Sequence, residues 1–536
     1  MISTFLVVVT FLLSFYKSTN IEHCEDFIHS TNTLRFINNF SLEYLMYEPF
    51  NSMDFLAFPF YLLIDFDLYT LRLAQSFFIA FAVLFFYLFL KNHFNSRLKS
   101  FLSSLLLLTF PYFIIEKSAM EYPFLVFFVT LFLYLFQIAA DKQENHKEIA
   151  LLGLVVGLGI FRKLILAPIF LFYPLFWLLF NKKDFIEKFL TKKRALIFSA
   201  LSLVGLFPFF LYSIFFSGSE HSLLNYLNLK LFEEGRIHNM PHNLIERFSQ
   251  IEEIALTYTH HYFTYPIFFY LLILSVLYLL IRRNKVGLIF ILTSLVYILL
   301  STLELNCLIV AHLYILIPLF VVIISTAIFS FFEDLLGEKT GNILSVLVIG
   351  VLVGVNLFNI SYYYRKNQQE VIQPKNPIRY EIGSFFRDDN VENIFLFTSD
   401  EIYTRWNVNI YFTSKGKNYF KAHDILKKNG RAYSEDGFVL EGIDELKNTF
   451  KNPKNAYLDV RFLDSGSPPA GGMSNEDRMF DFQYINNELK ENNYQKKYIL
   501  NRERETVYVI WVHDSNYSVI ENIEKFKKEY NLHYQD

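Results

Sequence analysis

Apolar runs near the 17–25 residues needed to cross a hydrocarbon core recur through the first two thirds of this chain. They lie at about 2–16, 70–90, 101–115, 122–140, 149–161, 164–180, 195–216, 263–281, 286–303, 307–332 and 342–363, eleven in all. Beyond Pro374 the pattern changes. Strand-like runs (Asn393–Thr398, Ala456–Val460, Glu505–Val512) alternate with helical ones (Ile378–Arg387, Met479–Asn492, Ile520–Tyr530), and Ser465–Gly472 reads as a loop among them. The expected fold is mainly α: a polytopic transmembrane helix bundle of about 11 spans over residues 1–364, followed by a small α/β domain over 365–536. Residues 1–16 lack a basic leader and no small-residue cleavage site precedes Cys24, which favours a span over a signal peptide there.

Charge sharpens this division. From Arg365 onward 52 of 172 residues are charged, against 49 in the first 364. A single soluble globule is excluded. The net charge of −3 gives no broad attraction to nucleic acid, and no nucleic-acid partner is expected. Two cysteines, Cys24 and Cys307, provide neither a disulfide framework nor a Cys-based zinc site, although a single bridge between them stays open. With the N-terminus inside, the inner loops carry 15 Lys and Arg and the outer segments 8 over a greater length. That bias supports a cytoplasmic N-terminus, and an odd number of spans puts the charged tail outside the cell membrane.

Four constellations then fall on the outer side. Glu25-Asp26 opens the first outer loop (17–69), with His29 three residues on; a carboxylate pair there can act as a base or bind a divalent cation. Glu121 ends the turn Glu116–Glu121 and abuts the following span. Arg162-Lys163 stands between two apolar runs, where two cations must reach the interface or meet an anion. His312 lies in an apolar run that continues through Tyr314 to Pro318. The other large outer loop, 217–262, is rich in His but lacks paired metal-ligand spacing. No Walker loop, dinucleotide fingerprint or nucleophile elbow occurs.

The order of these features resembles the polytopic, lipid-sugar-dependent glycosyltransferases of the C-type fold, most closely the protein O-mannosyltransferases and aminoarabinose transferases. Glu25-Asp26-Phe27-Ile28-His29 stands where that family has an acidic pair, usually in the reverse order. Leu71-Arg72-Leu73 matches an Arg at the start of the second span. Lys117-Ser118-Ala119-Met120-Glu121 matches a basic residue, small residues and an acid before the fourth. Gly157 to Lys163 matches a Gly-Leu…Lys stretch, and His312-Leu313-Tyr314…Pro318 a late Arg-Tyr…Pro, with His312 in place of Arg. The Trp-Trp-Asp-Tyr-Gly signature of oligosaccharyltransferases is absent.

The resemblance implies an integral membrane glycosyltransferase, hexosyl- or pentosyl-, that moves a sugar from a polyprenyl-phosphate donor to an acceptor hydroxyl on a protein, lipid or glycan. It implies Glu25, Asp26 and Glu121 as catalytic carboxylates, and His29, Arg72, Lys117, Arg162, Lys163, His312 and Tyr314 as substrate-binding groups. No cofactor is required, with a divalent cation at Glu25-Asp26 left open. Membrane lipid and the donor's prenyl chain are the remaining partners. The rival readings are a transporter or lipid-linked sugar flippase, and a membrane-anchored scaffold. The candidate residues gather at the outer rim rather than the midplane, and paired halves are not evident, which favours the transferase.

Overall fold

The structure is a computed structural model. It describes residues 2–16, 33, 36–37, 40, 42–48, 51–64, 68–110, 113, 122–141, 146–189, 191–215, 265–305, 314–366, 382–386, 390–397, 418–421, 431–434, 439–462, 485–500 and 506–530. The chain divides into two compact units, Met1–Glu22 with Ser41–Asn367, and His23–Phe40 with Gln368–Asp536.

In the first unit every one of the eleven apolar runs coincides with a helix. These are α1 (Ile2–Tyr16), α2 (Leu68–Phe94), α3 (Arg97–Thr109), α4 (Tyr122–Asp141), α5 (His146–Arg162), α6 (Ala167–Phe180), α7 (Lys192–Phe215), α8 (Tyr265–Ile281), α9 (Lys285–Leu305), α10 (Ile317–Leu336) and α11 (Glu338–Lys366). Five of them are long and apolar enough to cross a membrane by themselves. Others are shorter: the 13 residues of α3 reach only about 20 Å at 1.5 Å per residue, against a core of about 30 Å. Length therefore does not by itself carry the count of eleven spans. Leu196, Leu203, Val204 and Phe207 on α7 are each more than half exposed, an apolar face suited to lipid.

Two close approaches fix the bundle. Gly153 and Gly157 lie one turn apart on the face of α5 that meets α7, and a Cβ on Gly157 would stand 2.2 Å from the Ser202 carbonyl oxygen and 2.9 Å from the Gly205 Cα. The two backbones touch, as small residues permit between membrane helices. Gly337, with φ of +76°, turns the chain between α10 and α11. A Cβ on Gly341 would meet the Phe332 carbonyl oxygen at 2.3 Å, and Ser345 Oγ donates to the Ile328 carbonyl at 3.3 Å. That register puts Asn356, three turns beyond Ser345 on the same face, level with Ile317. Asn356 is fully buried, and among the described residues neither of its amide atoms has a hydrogen-bond partner. At the other end of the bundle, Lys99 pairs with Glu333 and lies over the Phe329 ring, while Arg282 reaches Asp334 at 2.5 Å.

The second unit holds a seven-stranded mixed sheet in the order β6-β5-β4-β3-β7-β9-β8. Its strands are β3 (Asn393–Leu396), β4 (Asn418–Lys421), β5 (Arg431–Ser434), β6 (Val439–Glu441), β7 (Asn455–Phe462), β8 (Tyr494–Leu500) and β9 (Thr506–His513). β1 (Met46–Glu48) and β2 (Asn51–Ser52) form a separate hairpin in the first unit. β3, β7 and β9 are buried on both faces. Ile394, Leu396, Leu458 and Ile510 pack with Ile382, Val519 and Ile523 on one side. Phe395, Tyr457, Val509 and Trp511 pack with Leu446, Phe450, Ile485 and Leu489 on the other. Alternate residues of one strand thus serve two cores. Burial pushes the Tyr457 and Tyr494 hydroxyls well above the usual phenol range.

The three strands read from sequence are present as β3, β7 and β9. The helical run Met479–Asn492 corresponds to a helix at 485–491, and Ile520–Tyr530 to Tyr517–Tyr530. Within Ile378–Arg387 the described residues form a short 3-10 helix, Ile382–Phe386, which buries Phe385 and Phe386; the rest of that run lies outside the described residues. β4, β5 and β6 escape sequence reading because they are only 3–4 residues long and carry mixed polar character. Ser465–Gly472 lies outside the described residues.

The Gly157–Gly205 contact generates a prediction. Gly157→Val forces α5 and α7 apart and should cost about 1–3 kcal/mol by overpacking. It is read as a lower midpoint of thermal inactivation in detergent, and an unchanged midpoint would show that the helices do not touch there.

Candidate active site

The site is built where α5 ends. Arg162 is its last residue, and Lys163 then adopts an extended backbone, φ −159° and ψ 126°, before the 3-10 turn Leu164–Leu166. Pro168 sits in the first turn of α6, where its missing N–H leaves no intrahelical bond unmade. The helix is thus broken between two adjacent cations.

Arg162 is fully buried. Its guanidinium donates from NH1 to the Ser52 carbonyl and from NH2 to Asp54 Oδ1, each at 2.6 Å. Ser52 ends the β1–β2 hairpin of the first long loop, so the cation ties that loop to the tip of α5. Phe55 adds an apolar contact, its ring stacked on Phe161 with centroids 5.8 Å apart. The sequence points to Arg162 as a partner for a substrate anion. In the structure its guanidinium meets Asp54, as a guanidinium with no solvent access needs a permanent counter-charge. Asp54 is not singled out by the sequence. Its signal was a lone carboxylate opening the apolar stretch Asp54–Leu63.

Lys163 Nζ lies 6.0 Å from the centroid of the Tyr122 ring. The Tyr122 and Tyr314 rings are 6.1 Å apart, and Tyr314 stacks nearly parallel on Phe113 at 5.3 Å. The Tyr314 hydroxyl donates to the Phe113 carbonyl at 2.9 Å. The structure therefore gathers Lys163, Tyr314 and Tyr122, the last being the neighbour of Glu121. Each comes from a different constellation read in the sequence. Arg72, buried near the start of α2, donates to Gln75 Oε1 at 2.8 Å.

Glu25, Asp26, His29, Lys117, Glu121 and His312 lie outside the described residues, as do Cys24 and Cys307. Among the described residues no group of three or more His, Cys, Asp or Glu could hold a metal ion.

Comparison with known proteins agrees with the resemblance drawn from the motifs. The family model described as dolichyl-phosphate-mannose-protein mannosyltransferase matches residues 40–223, which include Asp54, Arg72, Tyr122, Arg162 and Lys163. The crystal structure of ArnT from Cupriavidus metallidurans bound to undecaprenyl phosphate aligns over 95% of this chain and 97% of that one. Its TM-score is 0.59 at 10% identity, so the shared property is the fold. The apo oligosaccharyltransferase of Archaeoglobus fulgidus aligns over 76% of this chain and 64% of that one, with 12% identity and a TM-score of 0.46. No curated protein matches the chain in sequence. Family model and fold together support a membrane glycosyltransferase that uses a lipid-linked sugar.

Tyr314→Phe removes one buried hydrogen bond and leaves the Phe113 carbonyl without that donor. The expected loss is about 1–3 kcal/mol. A fall in the thermal midpoint checks it, and no fall would place the Tyr314 hydroxyl elsewhere.

Proposed function

We propose that this protein transfers a sugar from a polyprenyl-phosphate donor to an acceptor hydroxyl on the outer face of the membrane, with inversion at the anomeric carbon. The observation that carries this reading is the convergence of Lys163, Tyr122 and Tyr314 at one end of the bundle, beside a buried Arg162 whose charge is already met by Asp54. The charge bias of the loops supports the outer face for that end.

The chemistry suits these residue types. The acceptor oxygen attacks the anomeric carbon from the face opposite the phosphate, and its proton passes to a carboxylate. The bond between that carbon and the phosphate oxygen breaks, and polyprenyl phosphate leaves. The departing phosphate monoester has a second pKa of about 6, so it needs charge stabilisation more than a proton. Lys163 and His312 are the cations assigned to it, acting in a partly dry site where electrostatic stabilisation is strong. Glu25 or Asp26 takes the proton, and Glu121 orients the acceptor or raises the base's pKa by like charge. His29, Arg72 and Lys117 are assigned to substrate, and Tyr314 to the wall of the site. A divalent cation at Glu25-Asp26 remains compatible with this scheme, which needs none.

Single variants test it. With membranes holding the full chain and undecaprenyl-phosphate mannose as donor, Glu25→Gln or Asp26→Asn should lower turnover by about 100-fold or more. Full activity in both would contradict the assignment.

A further inference from the structure

Two features at the tip of α5 point the same way. Arg162 and Lys163 are adjacent, yet the first is sealed inside the protein and the second stands over the Tyr122 ring. The break in the helix falls between them: Arg162 still has helical backbone, whereas Lys163 is extended, so the two side chains no longer follow one helical path. What holds Arg162 inward is bidentate. One nitrogen meets the Ser52 carbonyl and the other the Asp54 carboxylate, both from the first long loop. Such a fork fixes orientation as well as distance, which a single ammonium at this position would not do.

We propose that Asp54 and Arg162 are positioning residues: their buried ion pair aims Lys163 at the anionic headgroup of the lipid donor and locks the first loop against α5. This rests on Lys163 meeting a lipid phosphate, as set out above. The carboxylate never touches substrate. It acts by neutralising Arg162, whose guanidinium then fixes the backbone at the helix break. Loss of Asp54 leaves a guanidinium without its counter-charge, which must turn toward water or draw in another anion, and either movement displaces the next residue. A shift of about 1 Å in a positioned group is enough to cost about 100-fold in a reaction.

The test is a double-mutant cycle on the full chain in detergent, read as binding of undecaprenyl phosphate. Lys163→Gln should raise the Kd by about tenfold, and Asp54→Asn should raise it by a similar factor. The double variant should be no weaker than Lys163→Gln alone, since Asp54 acts only through Lys163. A role in stability alone would not produce that coupling. Asp54→Asn with Arg162→Gln removes both charges and spares the fold a stranded cation, so it serves if the single variant fails to fold; it too should lose about tenfold, again only when Lys163 is present. Additive losses, or an Asp54→Asn protein that binds like the wild type, would overturn the proposal. A wild-type protein that does not bind undecaprenyl phosphate would overturn the lipid-phosphate reading itself, and this proposal with it. Additivity in a protein that does bind leaves that reading intact.

Discussion

A guanidinium that no water reaches must be neutralised, and the way this chain neutralises Arg162 organises one end of its helix bundle. Asp54 supplies the charge and the Ser52 carbonyl the second acceptor. Both come from a loop separated from Arg162 by more than a hundred residues. Folding that end therefore requires three things to meet: the hairpin of β1 and β2, the Phe55 ring on Phe161, and the last turn of α5. Replacing the pair by apolar residues would be tolerated energetically in many proteins, whereas removing one partner is strongly unfavourable. Retaining it is most readily understood as a means of setting direction rather than of adding stability.

The rest of the bundle supplies a frame stiff enough for that direction to matter. α5 is held to α7 by backbone contact at Gly157 and Gly205, so its tip cannot drift sideways without breaking that seam. α4 is held to α2 by edge-on rings, including Phe78 against Phe124 and Phe127, and Tyr122 lies at the start of α4. Part of the chain's high Phe content is thus core, with aromatic edges meeting faces, a geometry that adds to the area buried. Other Phe residues, such as Phe207 and Phe358, face outward as lipid-exposed surface. Asn356 is one exception among several: an amide buried near the level of Ile317, with neither atom partnered among the described residues, retained at a free-energy cost.

Much of the fold was legible because membrane helices write themselves as apolar runs, and each of the eleven runs became a helix. Helix ends were less legible: α3 runs Arg97–Thr109, whereas the apolar run read there is 101–115. In the tail, β3, β7 and β9 were readable because they are buried on both faces and so carry mostly apolar runs, β7 even with Asp459 inside it. β4 to β6 were not, being short and mixed. At the site, Lys163 and Tyr314 could be picked out as a charge and a polar ring interrupting apolar sequence. The direction of Arg162 could not. Two adjacent cations look alike in sequence, and only the loop that folds over one of them makes the difference. Asp54 carried only a weak signal for the same reason: a lone carboxylate before an apolar stretch is an ordinary loop residue until its partner, far along the chain, is known.

The central claim is chemical, that a lipid-phosphate sugar is consumed here rather than carried across the membrane. Its most direct test is to give the purified full chain, in detergent and with no sealed compartment, a polyprenyl-phosphate sugar and an acceptor hydroxyl, and to follow free polyprenyl phosphate. Acceptor-dependent release with an inverted anomeric centre in the product is the expected result. Intact donor under these conditions, together with movement of the same lipid across sealed vesicles containing the protein, would contradict it.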